Sequence, residues 1–383
     1  MVSSKTQDRT DPESYDRRDD GRPLNTTVRD VFPRRLTRAL LGLALLAFGG
    51  LAAYWFWAAN QVEAAIALWT GEQRARGYEI DYRGPELGGF PVRLTVEFSE
   101  PRIAAPQGWR WSGGMIAGQA AFWEPRVLRL DLPLEQTLSA AWRGQRRDLT
   151  LNAAAARGLV HLGREGWLKT ATVEMEGVVL SEAGGGTLSA ETLRYRLTRR
   201  PPTLEGVDDW TLLVSGQTRG IVLPDGIRSP FGARIENLAF DAAVIGLIPE
   251  LVPGGVPELV PGGEPGAALA RWRDTGGQVE IQNFEIAWGP LDVKASGTAT
   301  LDQRLRPQGV FTARIRGLPE ILDALAVQGL IEPGVALALK LTAMALATRN
   351  GADGRPEIEL PITLRDGLFY LGPAALFRLA PVL

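Results

Sequence analysis

From Glu79 onward, apolar and polar residues alternate with a period of two, and this alternation restricts the chain's fold more than any other feature. Val92, Leu94, Val96 and Phe98 alternate with Arg93, Thr95 and Glu97, the pattern of a strand with one dry and one wet face. The same pattern predicts strands at Val127–Leu132, Leu149–Ala153, Thr172–Leu180, Thr192–Leu197, Trp210–Val214 and Ile235–Phe240. It predicts further strands at Val279–Trp288, Leu291–Leu301, Gly309–Arg316, Ala336–Ala347, Glu357–Leu364 and Leu368–Leu371. Gly184-Gly185-Gly186 and Gly289-Pro290 fall between such runs and read as tight strand connections. The expected fold is mainly β (a β-rich α+β class), with extended, curved antiparallel sheets and a few short helices.

Helical signals are few. Leu318–Leu330 carries Ile321, Leu322, Leu325 and Ala326 on one face, with Pro319 in the first turn, where its missing N–H costs no hydrogen bond. Gln61–Arg76 places Val62, Ala65, Ile66 and Trp69 at helical spacing, with Gly77 as a C-terminal cap.

The stretch Leu40–Ala59 contains no charged residue and is about as long as the roughly 20 residues a helix needs to cross a bilayer. Its anchor residues are Leu40, Leu41, Leu43, Leu45, Leu46, Phe48, Leu51, Tyr54, Trp55, Phe56 and Trp57. Arg34, Arg35 and Arg38 precede it and Asn60, Gln61 and Glu63 follow it, so the positive-inside rule puts the N-terminus in the cytoplasm and exports the rest. The aromatic residues at its outer end suit the headgroup layer. A cleavable signal peptide has a shorter apolar core that ends at small residues. Here the run ends in Tyr54-Trp55-Phe56-Trp57, which argues for a retained single-pass anchor.

The segmentation that follows has six parts: a polar leader at 1–33, expected to be disordered, an anchor with its basic flank at 34–59, and a juxtamembrane helix at 60–77. A first β-rich portion covers 78–248, a Pro/Gly linker or loop 249–265, and a second β-rich portion 266–383. The linker contains PELVPGGV followed by PELVPGGE, too few copies for a repeat fold. It marks either a domain boundary or an insertion in one continuous sheet. Of the chain's 42 basic and 44 acidic residues, nine and seven lie before Asn60. The exported part is therefore nearly neutral, which argues against a nucleic-acid partner.

Residues suited to catalysis are scarce. There is one histidine, His161, and no cysteine, which removes the usual multi-histidine metal sites and triads and also lipidation through cysteine. No nucleotide or hydrolase motif is present, so no cofactor or metal is expected. Asp208 and Asp209 beside Trp210 are the nearest approach to a carboxylate pair for glycan chemistry, and they read more simply as a polar turn. Among eleven tryptophans, Trp109, Trp111 and Trp123 cluster in sequence. They are candidates to contact a hydrophobic ligand, or simply to cover the inside of a curved sheet.

The segment GYEIDYRGPELGGFPVRLTVEFSEPRI, with Gly89, Phe90, Pro91 and Arg93, and the ending LPITLRDGLFYLGPAALFRLAPV resemble the start and finish of the domain of unknown function 2125 (DUF2125) family. The stretch from Trp288 to Gly317 resembles its middle. That resemblance implies a membrane-anchored envelope protein of unassigned activity and no catalytic residues. A looser similarity to AsmA-like and YdgA-like single-anchor envelope proteins implies bent sheets whose apolar face holds lipid. The expectation is therefore a non-enzymatic protein of the bacterial inner membrane with a periplasmic ectodomain, binding or passing lipids. Alternatives are a structural or assembly factor contacting other envelope proteins through sheet edges, and third, a carboxylate-dependent glycan enzyme.

Overall fold

The computed structural model describes residues 34–106, 108–142, 145–164, 166, 168–200, 211–227, 229–246, 265–346, 349–350 and 356–382. The leader, Asp208, Asp209, Trp210 and the Pro/Gly segment up to residue 264 lie outside the described residues. The chain divides into Met1–Leu51 and Ala52–Leu383. In the first unit, helix α1 (Arg34–Ala75) begins, and Leu40, Leu41, Leu43, Leu45, Leu46 and Phe48 are all exposed. Within α1, Arg38–Ala75 is long and apolar enough to cross a membrane.

Among the described residues, the second unit contains the rest of α1 and one antiparallel sheet of nineteen strand segments. They begin with β1 (Glu79–Gly88), β2 (Arg93–Ala104), β3 (Arg110–Gly113), β4 (Met115–Ala121), β5 (Glu124–Asp131) and β6 (Glu135–Trp142). Next come β7 (Gln145–Asn152), β8 (Ala155–Leu162), β9 (Leu168–Glu182), β10 (Thr187–Arg200), β11 (Thr211–Val222) and β12 (Arg234–Ile245). After helix α2 (Pro265–Asp274) follow β13 (Gln278–Trp288), β14 (Leu291–Leu301) and β15 (Pro307–Arg316). Helices α3 (Leu318–Val327) and α4 (Pro333–Leu346) lead to β16 (Arg349–Asn350), β17 (Pro356–Arg365), β18 (Leu368–Leu371) and β19 (Ala374–Arg378).

The register reduces this list to a simple meander. Arg102 pairs with Ser112 and Ser99 with Met115, so β3 and β4 are two halves of one strand laid along β2. In the same way β5 continues into β6 and β8 extends β7, since β7 and β8 share one edge of β9. From β1 to β15 each strand column then pairs with the next column in sequence, and β15 pairs with β17, passing over the two-residue β16, which pairs with β17 alone. β12 pairs with β13 across the Pro/Gly segment, so the portions before and after it share one sheet.

Alternation sorts the sheet into two faces. One row of directly paired residues runs Leu87, Val96, Gly118, Leu130, Gly158, Val173 and Tyr195. It continues Gly216, Phe240, Phe284, Ala295, Ala313 and Leu360, without a charge from β1 to β17. The neighbouring row, on the opposite face, reads Asp131, Arg157, Glu174, Arg194 and, further on, Glu285, Lys294, Arg314, Glu359. Opposite charges on adjacent strands meet there: Arg194 lies 2.8 Å from Glu174, Lys294 2.9 Å from Glu285 and Arg314 3.2 Å from Glu359. Such cross-strand pairs favour this register modestly. The hydrogen bond from Lys294 holds the Glu285 carboxyl below its ordinary pKa, against a smaller opposing effect of burial.

Ala336–Ala347, read above as a strand, is instead covered to Leu346 by helix α4. Its Ala, Leu, Lys and Met residues are strong helix formers, and almost every position is apolar, so period two and period 3.6 fit equally well. Packing decides between them: Ala336 and Leu339 are buried, one turn apart, while Leu337 and Leu341 are exposed. Helix α3 forms where expected, with Pro319 in its first turn.

Candidate functional site: a creased apolar sheet face

The long strands of the N-terminal half break at one level. Glu100 has φ +50°, and its N–H donates to the Gly114 carbonyl at 2.6 Å. Gly114 donates in turn to Glu135, Ala153 to Leu134 and Ala154 to Glu176. In β9 and β11 the break falls on Gly177 (φ +58°) and Gly220 (φ +61°), glycines in the left-handed region that side chains disfavour. These positions form a transverse crease across eight consecutive columns, from Gly84 in β1 to Gly220 in β11.

The crease changes the phase of the alternation. In β9 the apolar residues are Ala171, Val173 and Met175 before Gly177, and Val178 and Leu180 after it. A left-handed residue between extended ones turns the following side chains over, as at a bulge. Apolar side chains therefore stay on the same side across the break. Val178, Ala190, Ile221 and Ile235 form a buried cluster beyond the crease, and Met175, Leu193 and Leu238 pack against it from before. The sheet thus folds along this line towards its apolar side. Every side chain in that cluster comes from the sheet or its immediate flanks.

Beyond the crease, a groove of about 920 Å³ crosses five columns. Its floor is another paired apolar row: Ile80, Ile103, Trp111, Leu138 and Leu149. Arg74, Arg102, Arg110 and Arg146 also line it. Arg74 donates to the Ile80 carbonyl at 2.6 Å, Arg146 donates to Ser139 Oγ at 2.8 Å and lies 4.0 Å from Asp148, and Arg102 lies 3.6 Å from Glu100, so three of these guanidinium groups are partly held by the protein. Glu79, Asp81 and Asp148 line it as well, so four arginines and three carboxylates surround the apolar floor, a lining chemically suited to an amphiphile with a polar, charged head.

The three candidate tryptophans are not brought together. Trp111 lies in the groove, and its indole N–H donates to Gln136 Oε1 at 3.2 Å. Trp109 packs edge-on against Tyr78 just outside. Trp123 is 72% exposed at the β4–β5 turn, away from the groove lining. His161 sits in β8, paired with Val127 and Thr170, in the phase of Arg157 and thus on the charged face. Among the described residues no group of three or more His, Asp or Glu is placed to hold a metal ion.

Gly89, Phe90, Pro91 and Arg93 form the β1–β2 turn, which docks on α1. Arg93 N–H closes the turn on the Gly89 carbonyl at 3.1 Å, and Gly89 takes φ +88°. The Trp55 indole N–H donates to the Arg93 carbonyl at 2.9 Å, and its ring meets Phe90 edge-on at 5.8 Å. Trp55 is therefore 7% exposed, packed with Ala59 and Leu94, while Tyr54, Phe56 and Trp57 stay exposed. Nothing in the linear pattern separates Trp55 from its aromatic neighbours. The missed crease did leave a signal: Gly84, Gly113-Gly114, Pro133, Gly177 and Gly220 come to one level once the meander is folded.

Fold and surface together define a class: a candidate membrane-spanning helix leading into one open, amphipathic antiparallel meander. The chain belongs to the DUF2125 family, described as an uncharacterized protein conserved in bacteria, whose model matches residues 55–380. The match starts at Trp55, the residue that seats the β1–β2 turn, and covers the whole sheet. No curated protein and no solved structure matches the chain.

Proposed function

We propose that this protein is a non-enzymatic lipid-binding protein of the bacterial envelope, held in the inner membrane by α1 with its sheet in the periplasm, and that the creased apolar face takes up acyl chains. The observation that carries this reading is the uncharged row from Leu87 to Leu360. Between β4 and β12 the cluster on this face is built from sheet side chains, and Val173, Tyr195, Leu197, Val214 and Phe240 are only half-buried. A large apolar surface without a covering layer marks a binding site in a stable protein. The arginines of the adjoining groove would meet a phospholipid headgroup.

Native mass spectrometry of the full-length chain, released from phosphatidylethanolamine and phosphatidylglycerol nanodiscs, tests the proposal. The expected result is retained phospholipid, lost in Val214→Glu and Phe240→Asp, which place a charge on the apolar face. Wild-type protein that carries no phospholipid and does not bind a pyrene-labelled one would overturn it. The exposed Phe377 on the terminal strand β19 favours a second reading, an assembly factor that adds a partner strand at this edge. A protein rather than a lipid adduct in the same spectra would support that reading.

A further inference from the structure

The two hairpin tips nearest α1 carry apolar side chains that the sheet does not bury. At the β1–β2 tip, Phe90 and Val92 are 44% and 42% exposed, and at the β4–β5 tip Trp123 is 72% exposed. Neither tip contains a charge: the turns read Gly89-Phe90-Pro91-Val92 and Phe122-Trp123. Both tips touch the helix at one level. Phe90 meets Trp55 and Phe56, at 5.8 and 6.4 Å between ring centroids, and Phe122 meets Tyr54 edge-on at 5.1 Å.

That level has a depth. With Leu40–Ala59 spanning the hydrocarbon core, Trp55 lies about 6 Å inside its outer end at about 1.5 Å per residue. Side chains in contact with Tyr54, Trp55 and Phe56 then lie at the boundary of headgroups and acyl chains, where aromatic rings concentrate and interfacial segments bury their apolar side.

We infer that the β1–β2 and β4–β5 tips insert into the outer leaflet interface beside α1, so that Phe90, Val92 and Trp123 form a second, non-helical membrane contact with phospholipid. This rests on α1 spanning the membrane. It adds that the sheet does not stand off the bilayer on a stalk: the edge of its apolar face is held at the lipid surface, where an acyl chain leaves the leaflet.

The chain has no cysteine, so single-site labelling is unambiguous. Val92→Cys, Trp123→Cys, Leu46→Cys and Gln145→Cys, each carrying an environment-sensitive fluorophore, are compared in the full-length chain in phosphatidylethanolamine–phosphatidylglycerol vesicles. Gln145 is exposed at the β6–β7 turn, at the opposite end of these columns from the β4–β5 tip. Labels at 92 and 123 are expected to show blue-shifted emission, quenching by lipids with a nitroxide near the headgroup, and protection from aqueous iodide. The label at 145 is expected to show the reverse. If labels at 92 and 123 are quenched by iodide as strongly as the one at 145, while the label at 46 is quenched by deep nitroxides, tip insertion is overturned and the anchor stands. If the label at 46 is also open to iodide, the anchor itself fails, and tip insertion with it.

Discussion

The same apolar sheet face meets two different fates in this molecule. At the C-terminal end, α3 and α4 lie against it: Ala313, Ile315, Ile358 and Leu360 from the strands and Leu318, Ile321, Leu322, Ala336 and Leu339 from the helices form one buried cluster. Ala313, Leu322 and Ile358 there are no more than 1% exposed. Between β4 and β12 the same row has no such helical cover among its cluster residues, and its side chains stay half-buried. The strands of both regions have the same alternation. What differs is a helical hairpin inserted between β15 and β17 at one end and a crease at the other. A capped sheet face is a core, and the uncapped, folded one keeps its side chains only half-buried.

This contrast predicts unequal costs for equivalent truncations. Leu322→Ala is expected to cost about 2–5 kcal/mol, since a cavity opens in a packed core. Val214→Ala on the uncapped face should cost about 1 kcal/mol, because the lost methyl groups are only partly buried. Denaturant unfolding of the detergent-solubilised full-length chain measures both, and equal losses would remove the distinction between core and open face.

The crease gives the next effect. Gly177→Ala must keep φ +58° with a Cβ that would sit 3.0 Å from that of Ala154, and a left-handed alanine costs about 1–2 kcal/mol. Gly118→Ala, in the apolar row away from the crease and with an ordinary φ, meets the end of the Leu130 side chain at 3.3 Å and the Val96 carbonyl oxygen at 4.0 Å. It should change stability less, so a melting-temperature drop as large in Gly118→Ala as in Gly177→Ala would argue against a conformational requirement at the crease.

The smallest effect concerns the capped end. Burial pushes the Asp302 carboxyl up, but hydrogen bonds from the Arg306 side chain and from the Arg306 and Arg304 backbone outweigh it, so its pKa is lowered. Asp302 and Arg306, 2.7 Å apart, close the β14–β15 turn, and Arg306 also donates to the Asp366 carbonyl. A lowered carboxylate pKa adds stability that is present above the unfolded value, about 3.9, and lost as pH falls through the folded value. Asp302→Asn should therefore lower stability at neutral pH by about 1 kcal/mol and flatten the loss below about pH 4. An unchanged acid limb in urea titrations would show that this carboxylate does not contribute.

Much of the fold is legible in the alternation, because a half-buried strand needs only a period of two and a turn residue at each end. Val279–Trp288 and Leu291–Leu301, with Gly289-Pro290 between them, are found as strands β13 and β14 joined by that turn. Ala336–Ala347 was not legible, since a run of apolar helix formers has no unique period and only its packing against β15 and β17 selects α4. Met115–Ala121 was missed for the opposite reason: Gly118 and three alanines carry too little side chain to mark a face, yet they admit Leu130 beside them.

The candidate site was less legible than the fold. Trp109, Trp111 and Trp123 are neighbours in sequence, but the β2–β3 connection and the β4–β5 turn send the first and last to different places. Trp55 looks like its neighbours Tyr54 and Trp57, and only the β1–β2 turn, with the Arg93 carbonyl as acceptor, takes it out of the exposed set.

The period-two strands, the apolar helix before them and the scarcity of histidine and cysteine can be read along the chain, because each is a local property of composition or spacing. The tertiary structure decided which strand edges align, where Gly84, Glu100, Gly114, Gly177 and Gly220 meet in one crease, and which part of the apolar face the helices cover. Those outcomes depend on register and packing between residues far apart in the chain: the glycines mark where a strand can break, but only the pairing of the strands brings the breaks to one level.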